Sequence, residues 1–542
     1  MDGNDSCGGA RQADPLKGPA APNLRTARAT GAIVRAVEAT SRRLGERSGM
    51  RIRLLVIGWA CAVGACGGGG DDGAGPPDAG PDGGSVGTVD SGLDAQPMVD
   101  AAKPLDASPP PGPDAGGLGS FDPPYPRVAS YRIGGSQRYD STFQAWGAKQ
   151  ALVIIGGNWE GWNSSGRDRE AVVQGIKSQS KLGTKVLQYN ICDNVASTGY
   201  GQPTWKAQVD AGNWYLYVHG TSGARETNFF STQFWQTNST DYVPSDANGR
   251  KLEDAFAVFT DATYRTANTT NAAKSLDGHY HDNVFFVSRT DGDFDRDGTT
   301  DAASAYGLAW RTGIRRYFDA LAAMHPELIR FGNADDMSEL KITDPTNTAA
   351  AAPLDGIMHG ALLEGFMGDV WATETWAGWT AAMNEYRFRL NLCIAPKLAV
   401  AGHLKLAANG TDPYDATPFR AMRYGMASAA LEDGYYAYSP AGYPDDDLYS
   451  FDELGGNAGG PAIGYLGYPT QTPPTAAWLQ GVWRRDFDHG IVLVNPRGNG
   501  AKTVALGGTF KHLTGSQNPS LNDGSSVTSV TLQDRDGLVL LR

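Results

Sequence analysis

From Tyr125 to Tyr438, short apolar runs alternate with stretches whose apolar residues recur at helical spacing. A run of roughly 4–8 apolar residues makes a buried strand, whereas spacing of about three and four makes one face of a helix. In order, the runs are Val128–Ile133, Ala151–Ile155, Lys185–Tyr189, Gly278–Asn283, Leu328–Phe331, Gly356–Gly360, Asn391–Ile394 through Val400, and Gly434–Tyr438. Helix-like stretches such as Arg167–Lys181, Ala302–Met324 and Pro418–Leu431 lie between them. Alternating strands and helices predict a parallel sheet with crossover helices. Eight such units predict an α/β protein of the (β/α)8 TIM-barrel class. An open doubly wound sheet is the competing fold, but no Gly-rich nucleotide fingerprint follows the first strand.

The period changes to two near the end of the chain. Trp483–Phe487, Gly490–Asn495, Thr503–Leu506, Ser525–Leu532 and Gly537–Leu541 alternate apolar and polar positions between Gly, Asn and Asp turns. They predict a small C-terminal antiparallel β-domain of about 60 residues. Its expected role is packing against the barrel.

A different pattern precedes the barrel. Met50-Arg51-Ile52-Arg53 is a short basic start, Leu54–Ala60 is apolar, and Ala62-Val63-Gly64-Ala65 are small residues leading into Cys66. Such an order is that of a secretory signal, and its end on a cysteine resembles a bacterial lipoprotein signal. The apolar stretch is shorter than the roughly 20 residues a membrane span needs. Lipidation of Cys66 and attachment to the bacterial outer membrane or cell surface are expected, with the membrane met through the lipid anchor only. After Cys66, residues 67–119 are almost all Gly, Asp, Pro, Ala and Ser. They can bury too little apolar surface to offset ordering entropy, so a disordered tether is expected. The expected divisions are 1–49, a non-native extension; 50–66, the signal; 67–119, the linker; 120–477, the barrel and catalytic domain; and 478–542, the β-domain.

Composition narrows the partners. The formal charge of −13 over 542 residues argues against nucleic acid, which needs a basic face. With 13 Trp and 22 Tyr, aromatic surface suffices for a large core and for stacking. Of five cysteines, Cys192 and Cys393 remain in the expected mature chain beyond Cys66, each inside an apolar run. Buried free thiols fit them better than a disulfide or a metal site. A monomer without an organic cofactor is expected.

On a barrel, chemistry gathers where strands meet their following loops. Two carboxylates stand there: Asp282, ending Leu276-Asp-Gly-His-Tyr-His-Asp, and Glu364, ending Leu354-Asp-Gly-Ile-Met-His-Gly-Ala-Leu-Leu-Glu. Hydrolysis of a glycosidic bond uses such a pair, one to protonate the leaving oxygen and one to attack the anomeric carbon or activate water. Around the same mouth the sequence places Trp159, Asp193, His281, Asn333, Lys397, Tyr436 and Tyr438 as candidate substrate contacts, with Asn158, Trp162, Asn194, Asp335 and His403 nearby. Aromatic faces suit the C–H surfaces of sugars, and amides suit vicinal hydroxyls. His279 and His281 share one side of a strand, but no third ligand of matching spacing makes a metal site of them.

A second acidic motif has a different character. In Asp293-Phe-Asp295-Arg-Asp297-Gly-Thr299-Thr-Asp301, acids fall at loop positions one, three and five, Gly298 at six and Asp301 at nine. That is the beginning of a calcium loop, in which alternate oxygens wrap a hard cation. Position twelve is Ser304, where a bidentate Glu is usual. A structural Ca2+ held by Asp293, Asp295, Asp297, Thr299 and Asp301 is expected.

From Tyr125 to Arg542 the chain resembles the glycoside-hydrolase families of bacterial exported proteins, particularly hypothetical glycosyl hydrolase family fifteen. The residues that carry the resemblance are Leu276–Val284, Glu364-Gly-Phe366, Arg423–Tyr435, Trp483–Pro496 and Asp536–Arg542. It implies a barrel and a sugar substrate. Retaining α-glycosidases of the α-galactosidase type carry the nucleophile after strand four and the acid/base after strand six, so the resemblance implies Asp282 as nucleophile and Glu364 as acid/base. His281 departs from the pattern, since an apolar residue is usual before the nucleophile. The expected function is hydrolysis of a poly- or oligosaccharide at the cell surface; the alternative is a non-catalytic carbohydrate-binding lipoprotein on the same scaffold.

Overall fold

Below the rim, alternate residues of the barrel strands are apolar and turn inward to a shared core. The computed structural model describes residues 118, 120–132, 139–156, 168–266, 273–334, 356–368, 372–405, 416–440 and 448–542. The signal, Cys66, Asn158, Trp159, Trp162 and Asp335 lie outside the described residues. The described residues fall within one compact unit, Ile57–Arg542.

Eight parallel strands form one sheet: β1 (Ala129–Arg132), β2 (Leu152–Ile155), β3 (Lys185–Ile191), β7 (Gly278–Asp282), β8 (Ile329–Asn333), β9 (Gly360–Gly368), β10 (Val400–Lys405) and β11 (Tyr435–Pro440). The Tyr436 N–H donates to the Arg127 carbonyl at 2.9 Å, bringing the last strand to the first. With β1 and β11 joined, the predicted (β/α)8 barrel is the observed fold. Leu152, Ile154, Leu187, Tyr189, Tyr280, Ile329, Phe331, Leu362, Val400 and Tyr435 fill its interior. The alternate residues Val153, Ile155 and Val186 face out and pack on Val172, Val173 and Ile176 of the helix Arg169–Gln179.

Two strands differ from expectation. The run Asn391–Ile394 continues a helix, Trp379–Leu392, because Trp379, Met383, Tyr386 and Leu390 are buried at helical spacing. The strand itself starts later, at Val400. The sixth run was expected at Gly356–Gly360, leading to Glu364 at its end; the strand occupies Gly360–Gly368 and carries Glu364 in its middle. Between β3 and β7 the chain adds a small antiparallel sheet, in the order β4 (Asn194–Ala196), β6 (Ser231–Gln236), β5 (Thr227–Asn228), that rises beside the mouth.

The C-terminal strands β12 (Trp483–Phe487), β13 (Gly490–Asn495), β14 (Lys502–Lys511), β15 (Ser526–Leu532) and β16 (Asp536–Leu541) form a separate antiparallel sheet, ordered β12-β13-β16-β14-β15. It docks on the barrel helix Ala416–Ala430. Gly537 makes the approach possible, since a Cβ there would lie 2.4 Å from the Arg423 carbonyl oxygen. Arg423 reaches back to the Gly537 carbonyl at 3.2 Å and to Asp536 at 3.3 Å. At the helix C-terminus the buried Arg485 donates to the carbonyls of Ala430 at 3.3 Å and Glu432 at 2.7 Å. A cation is favoured at that end of a helix, where carbonyls are unpaired.

Candidate active site

Four neighbouring strands send one inward side chain each to the top layer of the barrel. Tyr189 comes from β3, Asp282 from the end of β7, Asn333 from the end of β8 and Glu364 from β9. The Tyr189 hydroxyl donates to Asp282 Oδ2 at 2.8 Å. Asp282 Oδ1 accepts from the Asn283 N–H at 3.0 Å and from Asn333 Nδ2 at 2.9 Å. The same Asn333 nitrogen donates to Glu364 Oε2 at 2.8 Å. Two bonds on one nitrogen hold the bonded oxygens of Asp282 and Glu364 less than about 6 Å apart. Burial lifts the Asp282 carboxyl above the ordinary range, against the pull of the Asn333, Tyr189 and Asn283 donors.

Glu364 reaches this point through a bulge. β9 pairs with β10 at Leu362↔Val400 and Leu363↔Ala401, and then at Met367↔His403, so the register shifts across Glu364. A bulge bends the strand and re-aims a side chain. Gly402 faces it: a Cβ there would lie 3.1 Å from Glu364 Cα and 3.0 Å from the Leu363 carbonyl oxygen. The absence of a side chain at Gly402 lets the bulged backbone come close.

Behind Asp282 stands a buried acid among amides. Asp193 Oδ1 accepts from Asn194 at 2.7 Å and from Asn283 Nδ2 at 3.0 Å, and its Oδ2 accepts from Asn228 at 3.1 Å. Gln236 donates to the Asp193 carbonyl at 2.7 Å, tying in the small sheet. Asn283 adopts a φ of +56°, a region Asn tolerates better than most residues. In that conformation its backbone N–H meets Asp282 while its side chain meets Asp193. Burial pushes the Asp193 carboxyl up to about 6 despite its donors. At 1% exposure it lies behind the rim, holding the Asn283 side chain beside Asp282.

Other expected contacts lie elsewhere. The His281 ring points into the helix layer, with Nε2 2.7 Å from the Tyr317 hydroxyl and Nδ1 3.1 Å from the Phe331 carbonyl. Burial holds it neutral, its pKa lowered to about 3, and both ring nitrogens are engaged. Period two explains the error, since a neighbour of an inward Asp282 must face outward. Tyr436 and Tyr438 face outward as well: their hydroxyls contact the Met422 carbonyl at 3.1 Å and the Pro418 carbonyl at 3.4 Å. His403 packs between them on the same side, 3.0 Å from the Tyr436 hydroxyl. Lys397 precedes β10 and is exposed at the opposite end of the barrel, beside Phe121, Asp122 and Asp433. Thus Asp282, Asn333 and Glu364 converge, whereas His281, Lys397, Tyr436 and Tyr438 do not.

Sequence reasoning missed Tyr189, Asn228, Gln236 and Asn283. Tyr189 was legible in principle, because its strand alternates and Leu187 and Ile191 share its face. Asn228 and Gln236 come from the inserted sheet, and no local pattern announces their partner.

The expected calcium loop brings three acids together. One carboxylate oxygen from each of Asp293, Asp295 and Asp297 lies within 4.8 Å of the others. Asp301 instead accepts from the Phe294 N–H at 3.2 Å, and Thr299 donates its N–H to Asp297 at 2.7 Å. Burial and the three neighbouring aspartates raise the Asp301 pKa.

No family model and no curated protein matches the chain. Among solved structures it is similar to the glycoside hydrolase domain of PelA from Pseudomonas aeruginosa, at 11% identity and a TM-score of 0.32 over 60% of this chain and 97% of that one. An Anoxybacillus alpha-amylase is similar at 9% identity and a TM-score of 0.38, over 74% of this chain and 89% of that one. A debranching enzyme from Nostoc punctiforme gives 12% identity and a TM-score of 0.37, over 74% and 87%. These neighbours are glycoside hydrolases; likeness this distant carries no weight beside the geometry of the carboxylates.

The Asp193 carboxyl predicts a pH signature in stability. Its pKa in the folded chain, about 6, lies above the ordinary 3.8, so the folded state holds the proton more tightly. The stabilisation is complete below pH ~4 and is lost as pH rises through about 6. Asp193→Asn should remove this component. Urea unfolding from pH 4 to pH 7 should show wild type losing about 2 kcal/mol relative to the variant. Parallel stability curves for the two proteins would contradict the assignment.

Proposed function

We propose that the chain is a retaining glycoside hydrolase acting on a poly- or oligosaccharide, with Asp282 as nucleophile and Glu364 as acid/base. The observation that carries this reading is the single Asn333 amide that donates to both carboxylates. A retaining pair lies about 5–5.5 Å apart, whereas an inverting pair needs roughly 6.5–9.5 Å to admit water. The oxygens bridged by Asn333 fit the shorter class.

In the first step an Asp282 oxygen bonds to the anomeric carbon as the glycosidic C–O bond breaks, and Glu364 gives its proton to the leaving oxygen. In the second, Glu364 takes a proton from water, the resulting hydroxide attacks the anomeric carbon, and the bond to Asp282 breaks. The donors on Asp282 favour its charged form, as a nucleophile requires. The acid role needs a proton retained near the working pH. Among the described residues nothing donates to the buried Asn333 Oδ1, which supports a further role for this residue as acceptor for a substrate hydroxyl.

Two variants test the roles separately. Asp282→Asn should abolish turnover of every substrate. Glu364→Gln should slow release of reducing ends from polysaccharide by about 10²–10⁴, yet keep cleaving aryl glycosides whose leaving groups need little protonation. Near-wild-type rates on polysaccharide in either variant would remove the pair from the mechanism.

A structural calcium ion at Asp293, Asp295 and Asp297 belongs to the same proposal, since a hard cation would offset most of the charge of three acids in one loop beyond Asp282. Calcium should raise the melting temperature of wild type, because a ligand of the native state stabilises it. A variant with all three aspartates changed to Asn should lose the response. The same shift in both proteins, or none in wild type, would overturn the assignment.

A further inference from the structure

The part of β9 that carries Glu364 extends past its neighbour. β8 pairs with β9 only as far as Asn333↔Leu362, two residues before Glu364. On the other side the β10 register shifts across the bulge and resumes at Met367 and Gly368. A strand held on one edge and bulged in the middle has few ladder bonds to fix its course. Something else must hold the end of it.

Two arginines from different parts of the molecule do so. Arg389, fully buried in the helix Trp379–Leu392, donates to the carbonyls of Ala334 and Leu362, joining the end of β8 to β9 just below Glu364. The second arginine comes from the C-terminal sheet. Arg535, in the turn between β15 and β16 with a φ of +55°, donates from one nitrogen to two acceptors. These are the Gly368 carbonyl at 3.1 Å, at the end of β9, and Glu374 Oε2 at 2.8 Å, in the short helix Thr373–Ala377 that follows. Thr375 Oγ1 donates to the same Gly368 carbonyl at 2.8 Å. Glu374 is fully buried, and Arg497 of the C-terminal sheet approaches it at 3.7 Å. Burial raises the Glu374 pKa against the pull of the two arginines. A buried carboxylate paired with a guanidinium is costly to break, because removing one partner strands the other.

We infer that Arg535 is a positioning residue for the active site: through Gly368 and Glu374 it holds the bulged half of β9, and so gives the C-terminal β-domain a part in aligning Glu364. The inference rests on the proposed roles of Asp282 and Glu364 for its catalytic consequence. Its structural content, that Arg535 restrains Gly368 and the helix Thr373–Ala377, stands apart from them. Arg535 touches neither carboxylate of the pair. Its guanidinium also lies over the Tyr424 ring of the helix Ala416–Ala430, 5.7 Å from the centroid, while Arg423, Arg485 and Gly537 make the backbone contacts of the sheet with that helix and its C-terminal end.

The test compares Arg535→Met and Arg535→Lys with wild type in the full chain. Exchange of the amides of Phe366–Gly368 and Thr373–Ala377 should speed up about tenfold in Arg535→Met, while peptides from β13 and from β2 keep wild-type protection. Arg535→Lys, which keeps a charge for Glu374, should fall between. On aryl and polysaccharide substrates kcat should drop about tenfold with KM within twofold, and the loss should be larger on polysaccharide, where the acid works hardest. Unchanged exchange in Phe366–Gly368 and Thr373–Ala377 would overturn the inference, as would an increase spread evenly over the whole C-terminal sheet. If wild type cleaves no glycoside at all, the proposed function fails, yet the exchange result still decides whether Arg535 restrains the strand.

Discussion

Two carboxyl groups close together on a barrel rim repel when both are charged, so a proton or a shared donor must offset that repulsion. Here the answer is one amide. Asn333 donates both of its N–H groups, one to Asp282 and one to Glu364, from the strand that lies between theirs. Because amide hydrogens have a fixed angle, the nitrogen sets the separation of the acids as well as their proximity. An isolated buried charge is expensive, so Asp282 also draws on the Tyr189 hydroxyl and the Asn283 N–H. Everything near the mouth can be read as holding this arrangement of four strands in register.

The support comes in three pieces of different origin. From the inserted sheet, Asn228 and Gln236 secure Asp193, and Asp193 secures Asn283. Arg389 ties the ends of β8 and β9 from the barrel's own helix layer. Arg535 of the C-terminal domain reaches the end of β9 and the short helix Thr373–Ala377. Sites assembled from several elements gain precision when the supporting side chains are themselves locked by hydrogen bonds. The small C-terminal sheet therefore does more than cover a helix.

How much of this the sequence revealed depended on whether the signal was periodic. The barrel was legible because buried parallel strands are near-continuous apolar runs, as in Leu152–Ile155, and because the helices between them show their own spacing. Asp282 was legible because it closes a run, and Asn333 because it follows one closely. Glu364 was found as an acid beyond a run, but its place inside β9 was not, since a bulge breaks the alternation from which side-chain direction is inferred. His281, Tyr436 and Tyr438 were misplaced for a simpler reason: they carry suitable chemistry on strands of the barrel, yet their parity turns them toward the helices. Lys397 was placed by proximity to a strand without regard to which end, and it precedes β10. Contacts such as Asp193 with Asn228, or Arg535 with Glu374, join residues far apart in the chain and leave no local trace.

The central claim is that Asp282 attacks the anomeric carbon while Glu364 manages the proton. The most direct measurement is to trap the intermediate with 2-deoxy-2-fluoroglycosyl fluorides of several sugars and locate the adduct by mass spectrometry of peptides. The account predicts one added fluorosugar per chain for the accepted sugar, bonded to Asp282 and absent from Asp282→Asn. An adduct on another acid, such as Asp193, or hydrolysis of a substrate that first releases the inverted anomer, would contradict it.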